Sequence, residues 1–372
     1  MGGAEIMVVQ YIKSLGTKDY NHFVYCFGVD GPVREKIEAL GIPVYMGKSR
    51  APINQPIRFV FSILLLIKDL LAFIKKNRIQ IIQSQLSRAN KLAVVVGKLA
   101  RLPAFPTIQN TMEFVDRRSR WNLRVHINQA VDWLIFPIAD RIVAVSQEVK
   151  EIVHQRFRIK RSKIIVLNNG IVFDESRSEL VNIEKEFLIP KNTLKIISVG
   201  RLTYQKAMEV LISATAELLA SGMCNIFVMI VGEGEDRKHL EKLILELGLC
   251  SCVKLLGIRH NVIELMKASD IFVMPSRFEG LSVAMTEAMA CGLPIIASDA
   301  PGLRTFIIHG QNGLLFPVED HKAMAKCILQ LAEDQDMKDR LSLEAKKSFE
   351  KEYDLRKNIK SLDLLFRKYA KK

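Results

Sequence analysis

Short apolar runs rich in Val, Ile and Phe alternate along the chain with longer stretches whose apolar residues recur at helical spacing. The runs lack the polar alternation of a half-exposed strand, which is typical of strands buried on both faces of a sheet. Strands separated by helices predict parallel βαβ units. Twelve predicted strands cover residues 22–27, 43–46, 79–83, 105–109, 141–145, 163–167, 195–199, 226–231, 253–256, 270–274, 294–297 and 314–316.

The alternation breaks over residues 173–192, which are polar and poorly periodic, so we place a domain linker there. A chain of 372 residues has the length of about two domains. We therefore expect an α/β fold of two doubly wound, Rossmann-like domains, residues 1–175 and 190–345, that face each other across a cleft. Residues 346–372 are predicted to form a helix that crosses back to the N-terminal domain. Ligands of such sheets bind beyond the carboxyl ends of the strands.

The beginning of the chain departs from the doubly wound pattern. Gly2 and Gly3 form a glycine turn that leads straight into a helical stretch, whereas such a domain normally opens with a strand. We therefore expect the first strand of the N-terminal domain to be missing. The loss of a central strand would leave backbone groups of its neighbours unpaired. The two glycines form either a phosphate cradle or a simple terminal turn.

Composition and charge narrow the class of protein. Hydrophobic residues make up 49% of the chain, which excludes a disordered protein. The six cysteines form no CxxC pair, so we expect neither a disulfide scaffold nor a zinc ribbon, and a reducing compartment. The net charge is +14, and residues 1–190 carry +11 of it, from 28 Lys and Arg against 17 Asp and Glu. This excess favours either an anionic partner or a solvated basic face.

A membrane-spanning segment and a secretory signal are not predicted. No basic segment precedes the first apolar run. Residues 59–74 are the most apolar stretch, but they are short for a span and contain Lys68 and Asp69. We expect them to form a helix packed on a sheet.

The segment 270–298 carries the strongest chemical signal. A predicted strand ends at Met274, and a helix follows over residues 281–291, ended by Gly292 at its C′ position. The free N–H groups at its start make an anion site, which the helix dipole strengthens. Glu279 precedes the helix and Glu287 lies two turns into it, so the site suits a phosphorylated ligand rich in hydroxyl groups. The alternative is a solvated Glu pair on an amphipathic helix.

Two further motifs follow predicted strands. Arg201 stands directly after a strand and Lys206 on the next loop, where two cations can hold a diphosphate and stabilise it as it leaves. Two ordinary surface bases are the alternative reading. The turn of residues 231–234, VGEG, fails the dinucleotide pattern G-x-G-x-x-G because Arg237 takes the sixth position. It remains a turn on which a base can pack.

Other motifs exclude classes of site. Residues 41–49 have five residues between their glycines, where a P-loop has four. Residues 334–336, DQD, match a DxD metal motif, but they lie in a polar acidic stretch that reads as a solvated helix. Neither HExxH nor GxSxG occurs, and none of the seven histidines pairs at metal-ligand spacing. We therefore predict no metal site.

Together these motifs resemble the retaining glycosyltransferases of family 4, glycosyl transferases group 1, which have the two-domain GT-B fold. The resemblance runs from Gly2 to about Phe349 and is strongest over residues 196–316. Its pieces are GGAE at the start, VLNNGI from Val166, SVGRL with Lys206, VGEGEDRKHLEKL, PSRFEGLSVAMTEAMACGLPIIAS, and NGLLFP from Asn312.

The resemblance implies roles for particular residues. Glu279, Arg201 and Lys206 would be catalytic: Glu279 contacts the hydroxyls of the donor sugar, and the two cations hold the diphosphate. Glu287 would bind the ribose, backbone at 280–282 the phosphate, and the loops at 233–234 and 257–259 would flank the base. The implied substrate-binding set is Gly2, Gly3, Gln109, Arg201, Lys206, Glu233, Gly234, Ile258, Arg259, Glu279, Gly280, Leu281, Ser282 and Glu287. The family acts without metal or other cofactor, by front-face attack and without a protein nucleophile.

Three features depart from the family pattern. Gln109 stands where many members have a histidine near the sugar, and it can donate a hydrogen bond but cannot titrate. Ala207 replaces the glycine that usually follows the lysine. The third departure is the missing first strand, which would support the turn at Gly2 and Gly3.

We expect a transferase that moves a hexose or N-acetylhexosamine from a nucleotide-diphosphate sugar, UDP-linked, to a lipid-linked or polysaccharide acceptor. The product would be a surface glycan such as lipopolysaccharide, capsule or exopolysaccharide, made in the cytoplasm at the inner face of the membrane. The alternatives are a GT-B nucleotide-sugar epimerase, whose extra carboxylates and histidine are not found here, and a non-catalytic sugar-nucleotide-binding protein.

Two basic clusters on the front domain are candidates for contact with an anionic membrane or a lipid diphosphate, or else form a solvated face. No motif supports a nucleic-acid partner. The first cluster surrounds Trp121 and contains Arg117, Arg118, Arg120 and Arg124. The second contains Arg156, Arg158, Lys160, Arg161 and Lys163.

Overall fold

The computed structural model describes residues 3–27, 32–47, 56–109, 123–168, 170–173, 175, 181–279 and 282–370. The chain divides into two compact units. Unit 1 comprises Met1–Val172 together with Leu355–Lys372, and unit 2 comprises Phe173–Asp354. In both units the paired strands run parallel, which confirms the α/β class.

The strands of unit 1 form two sheets, one of order β1-β2 and one of order β3-β4-β5-β6. The strands are β1 (Val24–Cys26), β2 (Val44–Met46), β3 (Ile82–Gln85), β4 (Ala104–Ile108), β5 (Ile142–Ala144) and β6 (Ile164–Val166). The helices are α1 (Gly3–Leu15), α2 (Pro32–Glu38), α3 (Pro56–Lys76), α4 (Ser87–Ala100), α5 (Leu123–Ile135) and α6 (Gln147–Phe157), and the chain returns to this unit with α14 (Leu355–Ala370).

Within the described residues, α1 precedes every strand of unit 1. The strands lie in a two-stranded and a four-stranded sheet rather than in one continuous sheet.

The predicted strand at 79–83 lies three residues later in the structure, as β3. The cause is the end of α3, where Arg78 adopts the left-handed conformation with φ 51°. The amide N of Ile79 then donates to the carbonyl O of Ile74 at 3.1 Å. The backbone of Ile79 therefore closes the helix, and sheet pairing begins at Ile82.

The final helix α14 packs on unit 1 through its aromatic residues. Phe366 lies 5.7 Å from Phe105 of β4 and 6.1 Å from Tyr20, measured between ring centroids. At the start of the helix, the amide N of Leu355 donates to the carbonyl O of Ile171 at 3.1 Å. Burying an aromatic side chain contributes about 1.5–3 kcal/mol, so this helix completes the core of unit 1.

Unit 2 has one parallel sheet of order β12-β11-β10-β7-β8-β9. The strands are β7 (Leu194–Val199), β8 (Ile226–Val231), β9 (Val253–Gly257), β10 (Ile271–Met274), β11 (Ile295–Ser298) and β12 (Leu314–Phe316). The helices are α7 (Ile183–Phe187), α8 (Met208–Ala220), α9 (Arg237–Glu246), α10 (Val262–Lys267), α11 (Val283–Ala290), α12 (His321–Glu333) and α13 (Gln335–Ser348). This unit also has a short 3-10 helix at Leu303–Thr305 and a π-helical turn at Phe349–Tyr353, and unit 1 has 3-10 helices at Phe136–Ile138 and Arg161–Lys163.

The order of strands reverses between β7 and β10. From β7 the chain proceeds to β8 and β9 on one side, and β10 then returns to pair on the other side of β7. In doubly wound sheets the crevice for a ligand opens at such a reversal, beyond the carboxyl ends of the two strands. We therefore expect the ligand site of unit 2 at the loops after Val199 and Met274.

Candidate active site

Lys206 and Glu279 meet at the point where the strand order of unit 2 reverses. Lys206 follows β7 and Glu279 follows β10, and the Lys206 Nζ lies 2.5 Å from the Glu279 Oε1. Their side chains are only 14% and 4% exposed. Ser276 Oγ donates a second hydrogen bond to the same Oε1 at 2.7 Å. A charge pair in low dielectric, fixed before any ligand arrives, is suited to recognising a ligand with both phosphate and hydroxyl groups.

Two glycines allow this pair to form. The stem of Lys206 runs across Gly200, where an added Cβ would lie 3.1 Å from the Lys206 Cδ and Cε. Gly302 has φ +91°, and a Cβ there would collide with the carbonyl O of Glu279. The amide N of Glu279 donates to the carbonyl O of Pro301 at 3.1 Å. The backbone that carries the carboxylate is thus seated directly on the loop after β11.

Arg277, which the sequence analysis did not single out, joins the two loops of the site. Its Nη2 donates to Glu209 at 2.6 Å and its Nε to Glu319 at 2.5 Å. Its Nη1 donates to the carbonyl O of Tyr204 at 2.5 Å, and its guanidinium lies 3.9 Å from the centroid of the Tyr204 ring. Its backbone amide donates to the carbonyl O of Gln205 at 2.9 Å.

The guanidinium of Arg277 stays protonated in this position. Burial lowers the pKa of the guanidinium, but hydrogen bonds to Glu319 and Glu209 outweigh this effect, so the pKa is raised. Gln205 adds one more link by donating its Nε2 to the carbonyl O of Phe278 at 3.0 Å. These contacts hold the residues that immediately precede Lys206 and Glu279. A clue in the sequence was a cation inside the motif PSRFEG, one residue after its serine.

The helix α11 spans Val283–Ala290, inside the predicted range 281–291. Ser282 is its N-cap, and the Ser282 Oγ accepts from the amide N of Met285 at 3.3 Å. Gly292, with φ +69°, takes the left-handed position after Cys291. Gly280 and Leu281, predicted to bind phosphate through their backbone, lie outside the described residues.

Glu287 lies in the second half of α11 and is half-buried. Its carboxylate lies close enough to Cys291 to affect that thiol. Burial is the larger cause and the Glu287 charge the next, and together they raise the pKa of Cys291 to about 12. The structure thus places Glu287 one turn from the end of α11, and Glu279 ahead of the N-cap.

Arg201 is exposed at the carboxyl end of β7 and forms no ion pair with the described residues. Backbone contacts fix its loop against the turn after β8: the amide N of Leu202 donates to the carbonyl O of Glu233 at 2.9 Å. A Cβ on Gly232 would collide with the carbonyl O of Gly200, and one on Gly234 with that of Leu202. The glycines of the VGEG turn therefore leave space for the backbone of the loop at 200–202.

The remaining predicted residues of unit 2 follow β8 and β9, two strands that are neighbours in the sheet. Glu233 is paired with Arg237 at 2.5 Å, and Arg259 with Glu186 at 2.7 Å. Ile258 is 72% exposed. At this edge of the sheet, Glu233 and Arg259 are therefore both in ion pairs, and Ile258 is an exposed apolar side chain next to Arg259.

In unit 1, Gln109 follows β4 and is buried. Its Nε2 donates to the Oε1 of Gln85, the last residue of β3, at 3.0 Å. Two neutral amides thus stand together at the carboxyl ends of neighbouring strands. Gly3 is the first residue of α1, and Gly2 lies outside the described residues.

The two basic clusters proposed for a membrane have different outcomes. Most of the first lies in 110–122, outside the described residues. In the second, Arg161 is paired with Glu151 at 2.7 Å. The Nζ of Lys163 donates to the carbonyl oxygens of Pro137 and Ala139 at 2.9 and 3.1 Å. Two members of this cluster are therefore engaged within unit 1.

In the described ranges, no three His, Cys, Asp or Glu side chains gather in a way that could ligate a metal ion. The helices of the same ranges include none that is long and apolar enough to cross a membrane.

Two family models match the chain. The model described as Glycosyltransferase Family 4 matches residues 1–175, and the model described as Glycosyl transferases group 1 matches residues 181–348. The two matches correspond to the front and rear parts of the chain, and the second contains Arg201, Lys206, Glu279 and Glu287.

Relatives support the same assignment. An uncharacterized glycosyltransferase of Methanocaldococcus jannaschii is 27% identical, over 98% of this chain and 95% of the relative. The N,N'-diacetylbacillosaminyl-diphospho-undecaprenol alpha-1,3-N-acetylgalactosaminyltransferase of Campylobacter jejuni is 26% identical, over 88% and 86%.

Among solved structures, Anabaena HepE in complex with UDP superposes with a TM-score of 0.79 at 21% identity, covering 99% of this chain and 96% of HepE. The same protein has also been solved with UDP-glucose. The likeness establishes the fold. Taken with the two family matches, it identifies the chain as a glycosyltransferase of family 4 with the GT-B fold.

Proposed function

We propose that this glycosyltransferase moves a hexose or N-acetylhexosamine from a UDP-sugar to a lipid-linked or polysaccharide acceptor in surface glycan synthesis, with retention and without a metal. The observation that carries the proposal is the Lys206–Glu279 pair, set at 2.5 Å where the strand order of unit 2 reverses. A cation for phosphate and a carboxylate for hydroxyls stand together at that point. The complexes of HepE with UDP and UDP-glucose support the choice of nucleotide.

In this proposal the side chains of unit 2 hold the donor. Lys206 and Arg201 bind the diphosphate, and the carboxylate of Glu279 accepts hydrogen bonds from hydroxyls of the sugar. Ser276 and Lys206 fix the orientation of that carboxylate in advance. Glu287 binds the ribose, and the backbone at the start of α11 receives a phosphate.

The reaction we propose breaks the bond between the anomeric carbon and the diphosphate oxygen, and its electron pair passes to the diphosphate. Arg201 and Lys206 stabilise the charge that grows there. The acceptor hydroxyl oxygen forms its new bond to the anomeric carbon on the same face. Its proton moves to the departing diphosphate oxygen, so no protein nucleophile is needed. Two side-chain cations supply the stabilisation that a metal supplies in other transferases.

The acceptor remains a proposal drawn from relatives. The Campylobacter jejuni relative bears a diphospho-undecaprenol acceptor in its name. A lipid anchor of that kind would bring the enzyme to the cytoplasmic face of the membrane as a peripheral protein. Gln109 of unit 1, a neutral donor at the end of β4, is the residue we propose for a sugar oxygen.

The test is a screen of the purified chain with UDP-sugars, each with and without lipid-diphosphate saccharides. We expect acceptor-dependent release of UDP, unaffected by EDTA, and a product whose anomeric configuration by NMR is that of the donor. An inverted product would contradict retention, and loss of activity in EDTA would contradict metal independence. A UDP-sugar epimerised in the absence of acceptor would replace the proposal by an isomerase. Tight UDP binding without turnover of any donor would leave a binding protein.

A further inference from the structure

The ammonium group of Lys206 has one partner among the described residues, the carboxylate of Glu279. The rest of this lysine is held in place. Its amide N donates to the carbonyl O of Thr203 at 2.9 Å, and its stem lies against Gly200. The end of the side chain is therefore the part of Lys206 that turns towards a ligand, and in turning it must give up Glu279.

Glu279 is held independently of Lys206. Its amide N donates to the carbonyl O of Pro301 at 3.1 Å, and the Ser276 Oγ donates to the Oε1 of its carboxylate at 2.7 Å. Ser276 is fixed in turn, because the hydroxyl of Ser298, at the end of β11, donates to its carbonyl O. Both serines are fully buried. The carboxylate therefore keeps its position when the ammonium group leaves it.

A carboxylate left behind in this way needs new hydrogen-bond donors. The Glu279 side chain is only 4% exposed, and a largely buried charge that loses its counterion is destabilised unless other donors replace it. The hydroxyls of a sugar carried on the diphosphate are donors of this kind. Bare UDP ends at the phosphate and brings none of them to Glu279.

The charge of the ligand acts in the same direction. A phosphate bound to Lys206 comes close to Glu279, because the Lys206 Nζ lies 2.5 Å from the Glu279 Oε1, and like charges at such a distance repel. The terminal phosphate of UDP resembles a phosphate monoester, which carries about −1.5 to −2 at pH 7. In a UDP-sugar the same phosphate is esterified on both sides and carries a single charge. The carboxylate therefore opposes UDP more strongly than a UDP-sugar.

We infer that the Lys206–Glu279 pair makes the site discriminate between a UDP-sugar and bare UDP, and that Ser276 is a positioning residue for this exchange of partners. A UDP-sugar takes Lys206 with its diphosphate and gives Glu279 sugar hydroxyls in return. UDP takes Lys206 and gives Glu279 nothing. After transfer, the same competition for Lys206 favours the departure of UDP. The inference rests on the proposed use of a UDP-sugar as donor.

The test is isothermal titration calorimetry of the full chain, without acceptor. The ligands are UDP, UDP-glucose, UDP-galactose and the two corresponding N-acetylhexosamine nucleotides. Glu279→Gln should bind UDP about tenfold more tightly than the unchanged chain does, because the competing negative charge is gone. Its affinity for UDP-sugars relative to UDP should fall by about tenfold or more.

Ser276→Ala separates positioning from support of the fold. It should weaken the binding of UDP-sugars by about tenfold, because the carboxylate loses the donor that orients it, and it should leave the affinity for UDP unchanged. The matched control is Glu235→Gln, which removes the same charge from an exposed position on the turn after β8. This control should change neither affinity. Circular dichroism checks that each variant is folded.

Three results would overturn the inference. The first is unchanged or weaker binding of UDP by folded Glu279→Gln. The second is an equal loss of UDP and UDP-sugar binding in Ser276→Ala, which would assign Ser276 to the fold alone. The third is tighter UDP binding in Glu235→Gln as well, which would reduce the effect to net charge.

Failure of the proposed function has a different signature. If no uridine nucleotide bound to the unchanged chain, the proposed donor would be wrong and the inference would be lost with it. Absent transfer together with the expected affinities would contradict the proposed reaction and still support the exchange of partners at Lys206 and Glu279.

Discussion

Lys206 and Glu279 are 73 residues apart in the chain, yet the Lys206 Nζ lies 2.5 Å from the Glu279 Oε1. Their loops meet because β7 and β10 are neighbours in the sheet although two other strands of the chain lie between them in sequence. Both ions are largely shielded from water, so each would be costly to leave alone. The pair therefore links the chemistry of the site to the topology of unit 2.

Replacing Glu279 by Gln should reduce transfer by about 10²-fold or more, because a neutral amide orients sugar hydroxyls poorly and leaves Lys206 without its carboxylate. The expected loss of stability is about 1–3 kcal/mol, since Lys206 is largely buried. UDP release and thermal unfolding measure the two effects. The control is Glu333→Gln at the exposed end of α12, which should change neither. Full activity in Glu279→Gln would remove our main assignment.

Arg277→Met should raise KM for the donor and lower kcat together, because the residues before Lys206 and Glu279 lose their shared anchor. We expect a decrease in kcat/KM of about tenfold or more. Arg277→Lys should not rescue it, since an ammonium cannot reproduce the planar fork that reaches Glu209 and Glu319.

The control for Arg277 is Arg304→Met, an exposed arginine of the same unit that is paired with Asp299. Steady-state kinetics of this variant should match those of the unchanged chain. If Arg277→Met lowers only the unfolding temperature and leaves KM and kcat unchanged, Arg277 supports the fold and does not position the site.

Gly302→Ala should abolish activity or prevent folding, because its Cβ would collide with the carbonyl O of Glu279. The matched control is Gly222→Ala: Gly222 has a nearly equal φ of +94°, but a Cβ there meets nothing within 4 Å. Both variants carry the strain of a left-handed alanine, about 1–2 kcal/mol, and only Gly302→Ala carries the collision. Thermal unfolding and UDP release compare them; equal behaviour would contradict the contact.

Cysteine labelling reports on the surroundings of Glu287. Burial and the Glu287 charge raise the pKa of Cys291 to about 12, so at pH 8 almost none of this thiol is ionised in the folded chain. Iodoacetamide should modify the exposed Cys224 and Cys250 much faster than Cys291, as mass spectrometry of peptides will show. The thiol ionises near pH 9 in the unfolded chain but stays protonated at that pH in the folded chain, so rising pH favours the unfolded state. The Cys291 contribution therefore decreases as pH rises from about 9 towards 12. Rapid labelling of Cys291 would contradict its burial.

The twelve predicted strands are all present, and most were predictable because they are largely apolar runs; β3 is an exception, since Ile82 is followed by three polar residues. The boundary error at β3 arose from Arg78, whose left-handed conformation no apolar pattern reveals. Glu279 and Lys206 were predictable as candidates from their places after strands. Their contact was not, since it depends on the order of strands in space.

Arg277 escaped the sequence analysis for a similar reason. A single arginine in a loop has no periodicity, and its importance comes from Glu209 and Glu319, 68 and 42 residues away. The VGEG turn was predicted to be a turn on which a base can pack, and the structure adds that Gly232 and Gly234 make room for the backbone at 200–202. Close approach to a neighbouring loop and close approach to a ligand require the same residue type.

The return of α14 to unit 1 has a consequence for synthesis on the ribosome. In the sequence, all residues of unit 2 come between the two segments that form unit 1. Phe105 of the first segment packs against Phe366 of the last helix, which is synthesised at the end of the chain. The rear unit can therefore mature during translation, while the front unit stays incomplete until the final sixteen-residue helix has emerged. A nascent chain stalled before residue 355 would present an uncovered aromatic surface to chaperones.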